Sequence, residues 1–295
     1  MNIVPSFRST TVKGGEIVSR LLAAEGVTRV FGIIDGTYFG MYSTFKGNGI
    51  KLISPRHETS ALHMAGAYAR LTGKLGVCMA SNGPGVANAL PGVAVENAEG
   101  NRVLLITSSR RHSIVEPDRG GTYQCFPQSA AIAAMAKLSI HVPSMDRVAE
   151  LTRRALRACF TDRPGVVHLD IPEDLMNAEV EENAGWFRPP AKYRVTGSFV
   201  PRQSEVNAAA ELLLSAKRPL LHAGSGVIHA QAFRELVTVS ELLGAPMSTS
   251  WAARAAVDER HRLALPMPYL DALTKARNEA DVVLVLGSRL GETDW

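Results

Sequence analysis

Residues 54–88, SPRHETSALHMAGAYARLTGKLGVCMASNGPGVAN, carry the clearest structural signals in the sequence. Pro55 disfavours helical backbone at the residue before it, so the pattern predicts that a short strand ends there and that a helix begins at Glu58. Small and apolar residues recur at helical spacing up to Gly73, where the glycine indicates the end of the helix. The apolar run 75–80 is typical of a strand buried on both faces of a parallel sheet. We therefore predict an α/β fold with a doubly wound parallel sheet.

The turn SNGPG, residues 81–85, follows the buried strand. Its two glycines and proline let bare backbone approach whatever lies at the carboxyl end of the strand, which is where open α/β sheets bind their ligands. Glu58 taken alone is an ordinary carboxylate in the first turn of a helix, where it complements exposed N–H groups and the helix dipole. The residues by themselves therefore predict a ligand-binding edge of the sheet.

Several motifs in this stretch follow the order and spacing of a known family. RHE at the strand end, AGAYAR in the helix, TGK after it and GPGVAN at the turn resemble the pyrimidine-binding domain of thiamine-diphosphate enzymes of the acetolactate synthase and benzaldehyde lyase superfamily. The resemblance implies thiamine diphosphate as cofactor. It also gives Glu58 a role, in which the carboxyl group hydrogen-bonds a ring nitrogen of the aminopyrimidine and favours the imino tautomer that deprotonates the thiazolium carbon.

The resemblance further implies cofactor contacts at the glycine-rich turn. Gly83, Pro84, Gly85 and Asn88 match the family's loop under the pyrimidine; without the resemblance they form an ordinary strand-to-helix turn. His57 has two alternatives, since it either faces the substrate or satisfies backbone groups at the corner. For His57 we favour the second.

The segment 14–33 predicts an amphipathic helix followed by a strand. With the corner after it, this segment resembles the family's opening unit, which points toward the thiazolium edge of the cofactor. The chain departs from the family here, because Ile34 and Asp35 stand where Pro-Gly is common. Asp35, Thr37 and Tyr38 therefore either contact the substrate or simply form a turn.

A long irregular segment, 108–127, follows the next predicted strand, and loops of this length usually carry function or mobility. Within it, TYQCFPQSAAIAAMAKLS resembles a family segment with an aromatic-Gln pair and a later lysine. The resemblance makes Gln124 the active-site amide that hydrogen-bonds the substrate carbonyl or the enamine derived from it. Cys125 stands where the family often has an acidic residue, which is a departure from acetolactate synthases.

Three segments are predicted along the chain. Residues 1–176 form the pyrimidine-binding domain, 177–201 a linker with prolines and low periodicity, and 202–295 a Rossmann-like middle domain that is incomplete relative to the family. The GSGVIH turn differs from the dinucleotide fingerprint because His229 takes the place of the third glycine. The resemblance leaves two alternatives: this domain binds FAD, ADP or coenzyme A, or it is a scaffold without a nucleotide.

Composition narrows the functional class. The chain of 295 residues has 46% hydrophobic residues and a formal net charge of +4, and its basic residues are dispersed, so nucleic-acid binding is not expected. It has no run of about eighteen apolar residues and no signal-like N terminus, so we predict a cytoplasmic protein without a membrane partner. Three widely spaced cysteines predict neither a disulfide framework nor a zinc site.

The sequence contains no GDG, the start of the family motif that holds Mg²⁺ and the cofactor's diphosphate. We therefore predict no metal ligand in this chain, a second polypeptide that carries the diphosphate domain with its Mg²⁺ ligands, and a hetero-oligomer built on dimers. The predicted function is that of a C–C lyase, carboligase or decarboxylase acting on 2-hydroxy carbonyl compounds, including 2-hydroxyacyl-CoA, or on 2-oxo acids. The alternatives are acetolactate synthesis from pyruvate and a non-catalytic, truncated paralogue.

Overall fold

The computed structural model describes residues 11–115, 117–197 and 199–292. The chain forms two compact units, one ending at Thr196 and one beginning at Gly197. The outer boundaries predicted for the two domains, residues 1 and 295, lie outside the described residues.

Strands and helices alternate along most of the described chain. The strands are β1 (Thr11–Lys13), β2 (Arg29–Gly32), β3 (Lys51–Ile53), β4 (Gly76–Ala80), β5 (Val103–Thr107), β6 (Leu138–His141), β7 (Val166–Asp170), β8 (Glu179–Glu181), β9 (Pro219–Ala223), β10 (Met247–Thr249), β11 (Ala264–Leu265) and β12 (Val282–Leu286). The helices are α1 (Gly14–Ala24), α2 (Phe39–Tyr42), α3 (Glu58–Thr72), α4 (Pro84–Ala98), α5 (His112–Val115), α6 (Gln128–Ala133), α7 (Val148–Phe160), α8 (Glu173–Asn177), α9 (Gln203–Ser215), α10 (Ser225–Ala230), α11 (Phe233–Leu243) and α12 (Leu270–Glu279). None of the described helices has the length and apolar character needed to cross a membrane.

In the first unit, the described strands include a six-stranded parallel sheet with the order β3-β2-β4-β5-β7-β6. The central strands β4, β5 and β7 are buried along their whole length. Side chains alternate along β5, because Leu104 and Ile106 join the core that includes α1 and α7, while Val103 and Leu105 join the core that includes α3 and α4. Helices on both faces explain the continuous apolar strands, and they confirm the predicted α/β class.

The carboxyl ends of these parallel strands meet at one edge of the sheet. β2 ends at Gly32, β4 at Ala80, β5 at Thr107 and β7 at Asp170. The corner at 35–38, the glycine-rich turn and the long loop that contains the predicted active-site amide therefore all start from the same edge.

The segment predicted as a linker packs on the first unit up to Thr196. β8 pairs with β1 in an antiparallel ladder. Further along, the guanidinium of Arg194 lies 2.7 Å from the buried carboxylate of Glu25, and the Tyr193 hydroxyl donates to the same carboxylate. These partners lie 169 and 168 positions earlier in the sequence, so local composition gave no sign of them.

The second unit contains a parallel sheet with the order β11-β10-β9-β12 among its described residues. The turn after β9 contains Gly224 and Gly226, and it packs on the backbone after β12. A Cβ atom on Gly226 would lie 2.6 Å from the Cα atom of Gly287. The glycines of GSGVIH therefore allow two backbone segments of this unit to touch.

Candidate active site

Glu58 lies at the first position of α3, directly after the loop that follows β3. Its side chain is buried, with 7% of the residue exposed. His57 is the N-cap of the same helix, and its Nδ1 atom accepts a hydrogen bond of 3.2 Å from the backbone N–H of Thr59. The His57 ring therefore satisfies a backbone group at the corner, which supports the alternative that we favoured for it.

Asn88 and Gly85 come from α4 and meet the Glu58 carboxylate. The amide nitrogen of Asn88 donates to Glu58 Oε2 at 3.1 Å. A Cβ atom on Gly85 would lie 3.2 Å from Glu58 Oε1 and 2.5 Å from Ser81 Oγ. The missing side chain at Gly85 therefore keeps open the space beside the second carboxylate oxygen.

Gly83 connects the glycine-rich turn to the segment that contains Gln124. Gly83 has a φ angle of +67°, in the left-handed region that favours glycine. A Cβ atom here would lie 2.6 Å from the Cα atom of Gln124 and 2.7 Å from the carbonyl oxygen of Tyr123. The structure thus brings the predicted amide segment into backbone contact with the turn, although the two are about forty residues apart in the sequence.

Two groups near Glu58 have a raised pKa. Burial raises the pKa of the Cys78 thiol on β4, and the nearby Glu58 carboxylate raises it further. Burial also raises the pKa of the Tyr38 hydroxyl well above its usual range, with Asp35, Cys78 and Glu58 adding to the effect. Cys78 and Tyr38 therefore stay neutral beside the carboxylate.

The corner at 35–38 divides into a buried part and a part that lines a cavity. Tyr38 is fully buried, and its hydroxyl donates to the Ile33 carbonyl at 2.6 Å, so its geometry supports the turn alternative rather than substrate contact. Asp35 accepts a hydrogen bond of 2.8 Å from the backbone N–H of Thr37. Asp35 and Thr37 line a cavity of about 480 Å³ together with Gln124.

The same cavity contains residues that the sequence did not suggest. Its wall includes Arg110, Asp174 and Asn177. The Asn177 amide donates to the Thr37 carbonyl at 2.8 Å and accepts from the Gly40 N–H at 2.8 Å, which fixes the corner to α8. Asn177 therefore positions the backbone on which the predicted substrate contacts lie.

A buried carboxylate, Asp170 at the end of β7, organises the rest of the loop. Asp170 Oδ1 accepts from the Thr107 hydroxyl at 2.7 Å and from the Gln128 amide at 2.8 Å, while Oδ2 lies 2.9 Å from His141 Nδ1. Burial alone would raise the pKa of Asp170, but the hydrogen bonds from His141 and Thr107 and the neighbouring rings hold it below its usual range. Asp170 is therefore ionised and joins β5, β6 and α6.

Gln128 links this carboxylate to the 35–38 corner. Its amide nitrogen also donates to the carbonyl oxygen of Ser108 at 3.1 Å, and the Ser108 hydroxyl donates to Thr37 Oγ1. The chain Asp170–Gln128–Ser108–Thr37 runs through buried side chains. Sequence reasoning missed it because its members come from four separate segments; the carboxyl-end rule applied to β7 was the available signal for Asp170.

His168 lies inside β7 with both ring nitrogens engaged. Nδ1 lies 2.7 Å from the Ser139 hydroxyl and Nε2 lies 2.8 Å from the Thr107 hydroxyl. Burial lowers the pKa of His168 to about 4, although the Asp170 carboxylate acts in the opposite direction. His168 is therefore neutral near pH 7 and has a structural role in the core.

Two family models match this chain. Residues 12–132 match the N-terminal TPP binding domain of thiamine pyrophosphate enzymes, and residues 206–295 match the central domain of the same enzymes. The chain belongs to the thiamine pyrophosphate enzyme family. Glu58, the 81–85 turn and Gln124 lie within the first matched region. Membership implies the cofactor thiamine pyrophosphate, which is the same compound as thiamine diphosphate.

Curated relatives carry several activities. A probable acetolactate synthase large subunit from Methanocaldococcus jannaschii is 30% identical, with 95% of this chain and 48% of the relative covered. A probable 2-ketoarginine decarboxylase from Pseudomonas aeruginosa is 33% identical, with 99% and 52% covered. A sulfoacetaldehyde acetyltransferase from Alcaligenes xylosoxydans is 33% identical, with 91% and 43% covered. The chain spans about half the length of the curated relatives it matches.

The described residues fit the pyrimidine half of the cofactor. Gly85 leaves space beside a buried carboxylate, as a flat ring that shares a proton with Glu58 would need. Asn82 in the same turn is 1% exposed, and neither its amide nitrogen nor its amide oxygen has a hydrogen-bond partner among the described residues. Such orphaned buried groups are rare in proteins without ligands or ordered water. Within the described ranges, no group of three or more His, Cys, Asp or Glu side chains could hold a metal ion.

We predict that His168 makes the fold sensitive to acid. Between pH 6.5 and about 4 the unfolded chain binds a proton at this residue and the folded chain does not, so the free energy of unfolding falls as the pH falls. The full effect is about 3 kcal/mol. Chemical denaturation at several pH values should show this slope, and His168→Gln should reduce it. His63→Gln, at a half-exposed histidine, is the control and should leave the slope unchanged. An equal slope in His168→Gln and the parent chain would contradict the assignment.

We predict that Gly83→Ala displaces the Gln124 segment. The new Cβ would overlap backbone atoms and would need a left-handed φ, a strain of about 1–3 kcal/mol. Cys125 reports on this segment, since Cys78 and Cys159 are buried. Thiol labelling of Cys125 should accelerate on the order of tenfold. Gly47→Ala is the matched control, because its new Cβ would meet the Thr44 carbonyl oxygen at an ordinary 3.5 Å. Labelling of Cys125 at the parent rate in Gly83→Ala would show that the contact does not hold the segment.

Proposed function

We propose that this chain supplies the pyrimidine-binding part of a thiamine-diphosphate-dependent enzyme that cleaves or forms a C–C bond next to a carbonyl group. The substrates would be 2-hydroxy carbonyl compounds, including 2-hydroxyacyl-CoA, or 2-oxo acids that lose CO₂. The observation that carries the proposal is the buried Glu58 carboxylate, held by Asn88 beside the Gly85 space, with the Gln124 segment in contact with the same turn. A scaffold has no physical need for this combination.

Each residue has a role in the proposal. When bound, thiamine diphosphate supplies a nucleophilic thiazolium carbon and an electron sink. Glu58 would share a proton with the ring nitrogen of a bound pyrimidine, and Asn88 fixes the orientation of the carboxylate. Gly83, Pro84 and Gly85 form the surface under the ring. Gln124 donates an amide hydrogen to the substrate oxygen, where negative charge develops.

The 35–37 corner is proposed to contact the substrate. Asp35 and Thr37 line the same cavity as Gln124, and Asn177 fixes the backbone at Thr37. Tyr38 is not part of this proposal, because its hydroxyl is bonded inside the core. His57 is assigned to capping α3, because its ring accepts a hydrogen bond from the backbone N–H of Thr59.

Acetolactate synthesis from pyruvate is the second candidate. It is favoured by relatives whose names include acetolactate synthase, at 30% identity over 95% of this chain. Cys125 in place of the acidic residue often found after the glutamine weighs against it. Relatives named as a decarboxylase and as an acetyltransferase are as similar, so the broader class is preferred.

We propose that activity requires polypeptide beyond these residues, which holds Mg²⁺ and the diphosphate. The chain covers about half of its relatives' length and contains no GDG, and both facts support this proposal. A second chain in a hetero-oligomer is the arrangement that we favour; a non-catalytic paralogue is the rival. In the second unit, the close contact of Gly226 with Gly287 supports the scaffold alternative, while FAD, ADP or coenzyme A remain predictions from the resemblance.

We predict that the 295-residue chain alone does not bind thiamine diphosphate and Mg²⁺ tightly. Most of the affinity would come from the diphosphate–Mg²⁺ contacts, for which this sequence has no motif. Isothermal calorimetry should show no magnesium-dependent binding in the micromolar range for the chain, and clear binding once the polypeptide with the GDG motif is added. Micromolar, magnesium-dependent binding by the chain alone would contradict the proposal that the diphosphate site lies on other polypeptide.

We predict that Glu58→Gln stops turnover in the complete enzyme, meaning this chain together with the part that holds the diphosphate. Glutamine keeps the shape but cannot share a proton with the ring nitrogen, so exchange of the thiazolium C2 hydrogen for deuterium should slow on the order of a hundredfold or more. Glu96→Gln is the matched control, because Glu96 is equally buried on α4 but is bonded to His63 and Asn101. Parent-like exchange in Glu58→Gln would remove Glu58 from the mechanism.

A further inference from the structure

A second cavity, of about 450 Å³, shares Gln124 and Arg110 with the cavity at the 35–37 corner. Its wall also includes His112 and His141, whose rings lie 6.5 Å apart in an edge-on arrangement. A cavity of this size accommodates a small-molecule ligand. Two imidazoles therefore face the space beside the amide that the proposed function assigns to the substrate.

His112 is held by a carboxylate. It begins α5, and its Nδ1 atom lies 2.9 Å from Oδ2 of Asp174 in the first turn of α8. A carboxylate can only accept, so the hydrogen in this contact belongs to Nδ1. Nε2 has no hydrogen-bond partner among the residues that the structure describes. The ring thus has one nitrogen fixed by Asp174 and the other available for proton transfer.

Two other ionisable side chains on this wall, Arg110 and His141, are less suited to proton transfer. Arg110 pairs with Glu173 at 3.2 Å, and a guanidinium stays protonated. His141 Nδ1 also lies 2.9 Å from a carboxylate, but that carboxylate is the buried Asp170, which needs this donor because it joins β5, β6 and α6. His112 is therefore the group on this wall best arranged to give up and take back a proton.

We propose that His112 is an acid–base residue for the substrate oxygen and that Asp174 is its positioning residue; this rests on the proposed function. When the substrate carbonyl carbon gains a bond, the π electron pair of C=O moves to the oxygen, which takes the proton from Nε2 of the doubly protonated ring and leaves the neutral ring with its hydrogen on Nδ1. When C=O forms again, the O–H pair returns to the carbonyl and the proton returns to Nε2. No oxidant or further reactant is needed, and Gln124 orients the same oxygen by donating a hydrogen bond.

The alternative is a purely structural role, in which the His112–Asp174 contact only holds the loop 108–127 against α8. His112→Asn separates the two, because the asparagine amide can still donate to Asp174 from a position close to that of Nδ1 but carries no group in place of Nε2. The matched control is His63→Asn, which changes the same kind of Nδ1–carboxylate contact, with Glu96 at 2.6 Å, on α3 outside both cavities.

The test uses the complete enzyme with a 2-oxo acid or 2-hydroxy ketone that it turns over. We expect His112→Asn to lower kcat/KM on the order of a hundredfold or more, with the C2 hydrogen exchange of the cofactor unchanged, and His63→Asn to behave as the parent. His112→Ala should regain activity with added imidazole, and the gain should vary with the pKa of substituted imidazoles. If His112 only anchored the loop, neither the selective loss of kcat/KM nor the rescue by imidazole would be seen.

Histidine ¹⁵N NMR of the chain alone provides a readout without turnover. We expect the hydrogen of His112 on Nδ1, and Asp174→Asn should change the tautomer. A hydrogen on Nε2 with none on Nδ1 in the parent chain, or parent kcat/KM in His112→Asn, would overturn the inference. Parent-like C2 exchange in Glu58→Gln would instead overturn the proposed function, so the two failures are distinguishable.

Discussion

The buried carboxylate of Asp170 organises the part of this site that we propose to contact the substrate. Removing an ionised carboxylate from water is costly unless donors surround it, and here Thr107, Gln128 and His141 all direct hydrogen atoms at it. These donors come from β5, α6 and β6. Satisfying one charge therefore fixes the start of the helix that follows the Gln124 segment, and through Ser108 it also fixes Thr37.

The cofactor side is built in a different way. Glu58, the glycine-rich turn and Asn88 lie within thirty-one residues of each other, and one strand and two helix starts place them together. The glycines act here through the absence of a side chain. Gly85 leaves room beside the Glu58 carboxylate, and Gly83 lets the backbone of Gln124 approach. Contacts within one stretch thus make the proposed cofactor side, whereas hydrogen bonds between distant segments make the proposed substrate side.

This difference explains what the sequence could predict. Apolar runs and helix-stop glycines predict the parallel sheet because periodicity is a local property. Glu58, Gly83 and Asn88 could be placed from a single stretch. Asp170, Gln128 and Asn177 could not, because these partners are 20 to 140 residues away. The packing of 177–196 on the first unit escaped prediction for the same reason, and Tyr38 shows that an aromatic residue beside a glycine corner can belong to the core.

Asp170 and Glu58 are both buried carboxylates at the same edge of the sheet, but they differ in the hydrogen bonds that they receive. Asp170 has donors on both oxygens, so a proton added there would break bonds that hold three elements. Within the described part of the chain, Glu58 receives one side-chain donor, Asn88, on Oε2, while Oε1 faces the space that Gly85 leaves open. A saturated carboxylate resists protonation, and a half-saturated one can share a proton with a ligand. The same edge of the sheet can therefore hold a structural anion and a proton-sharing acid without exchanging their functions.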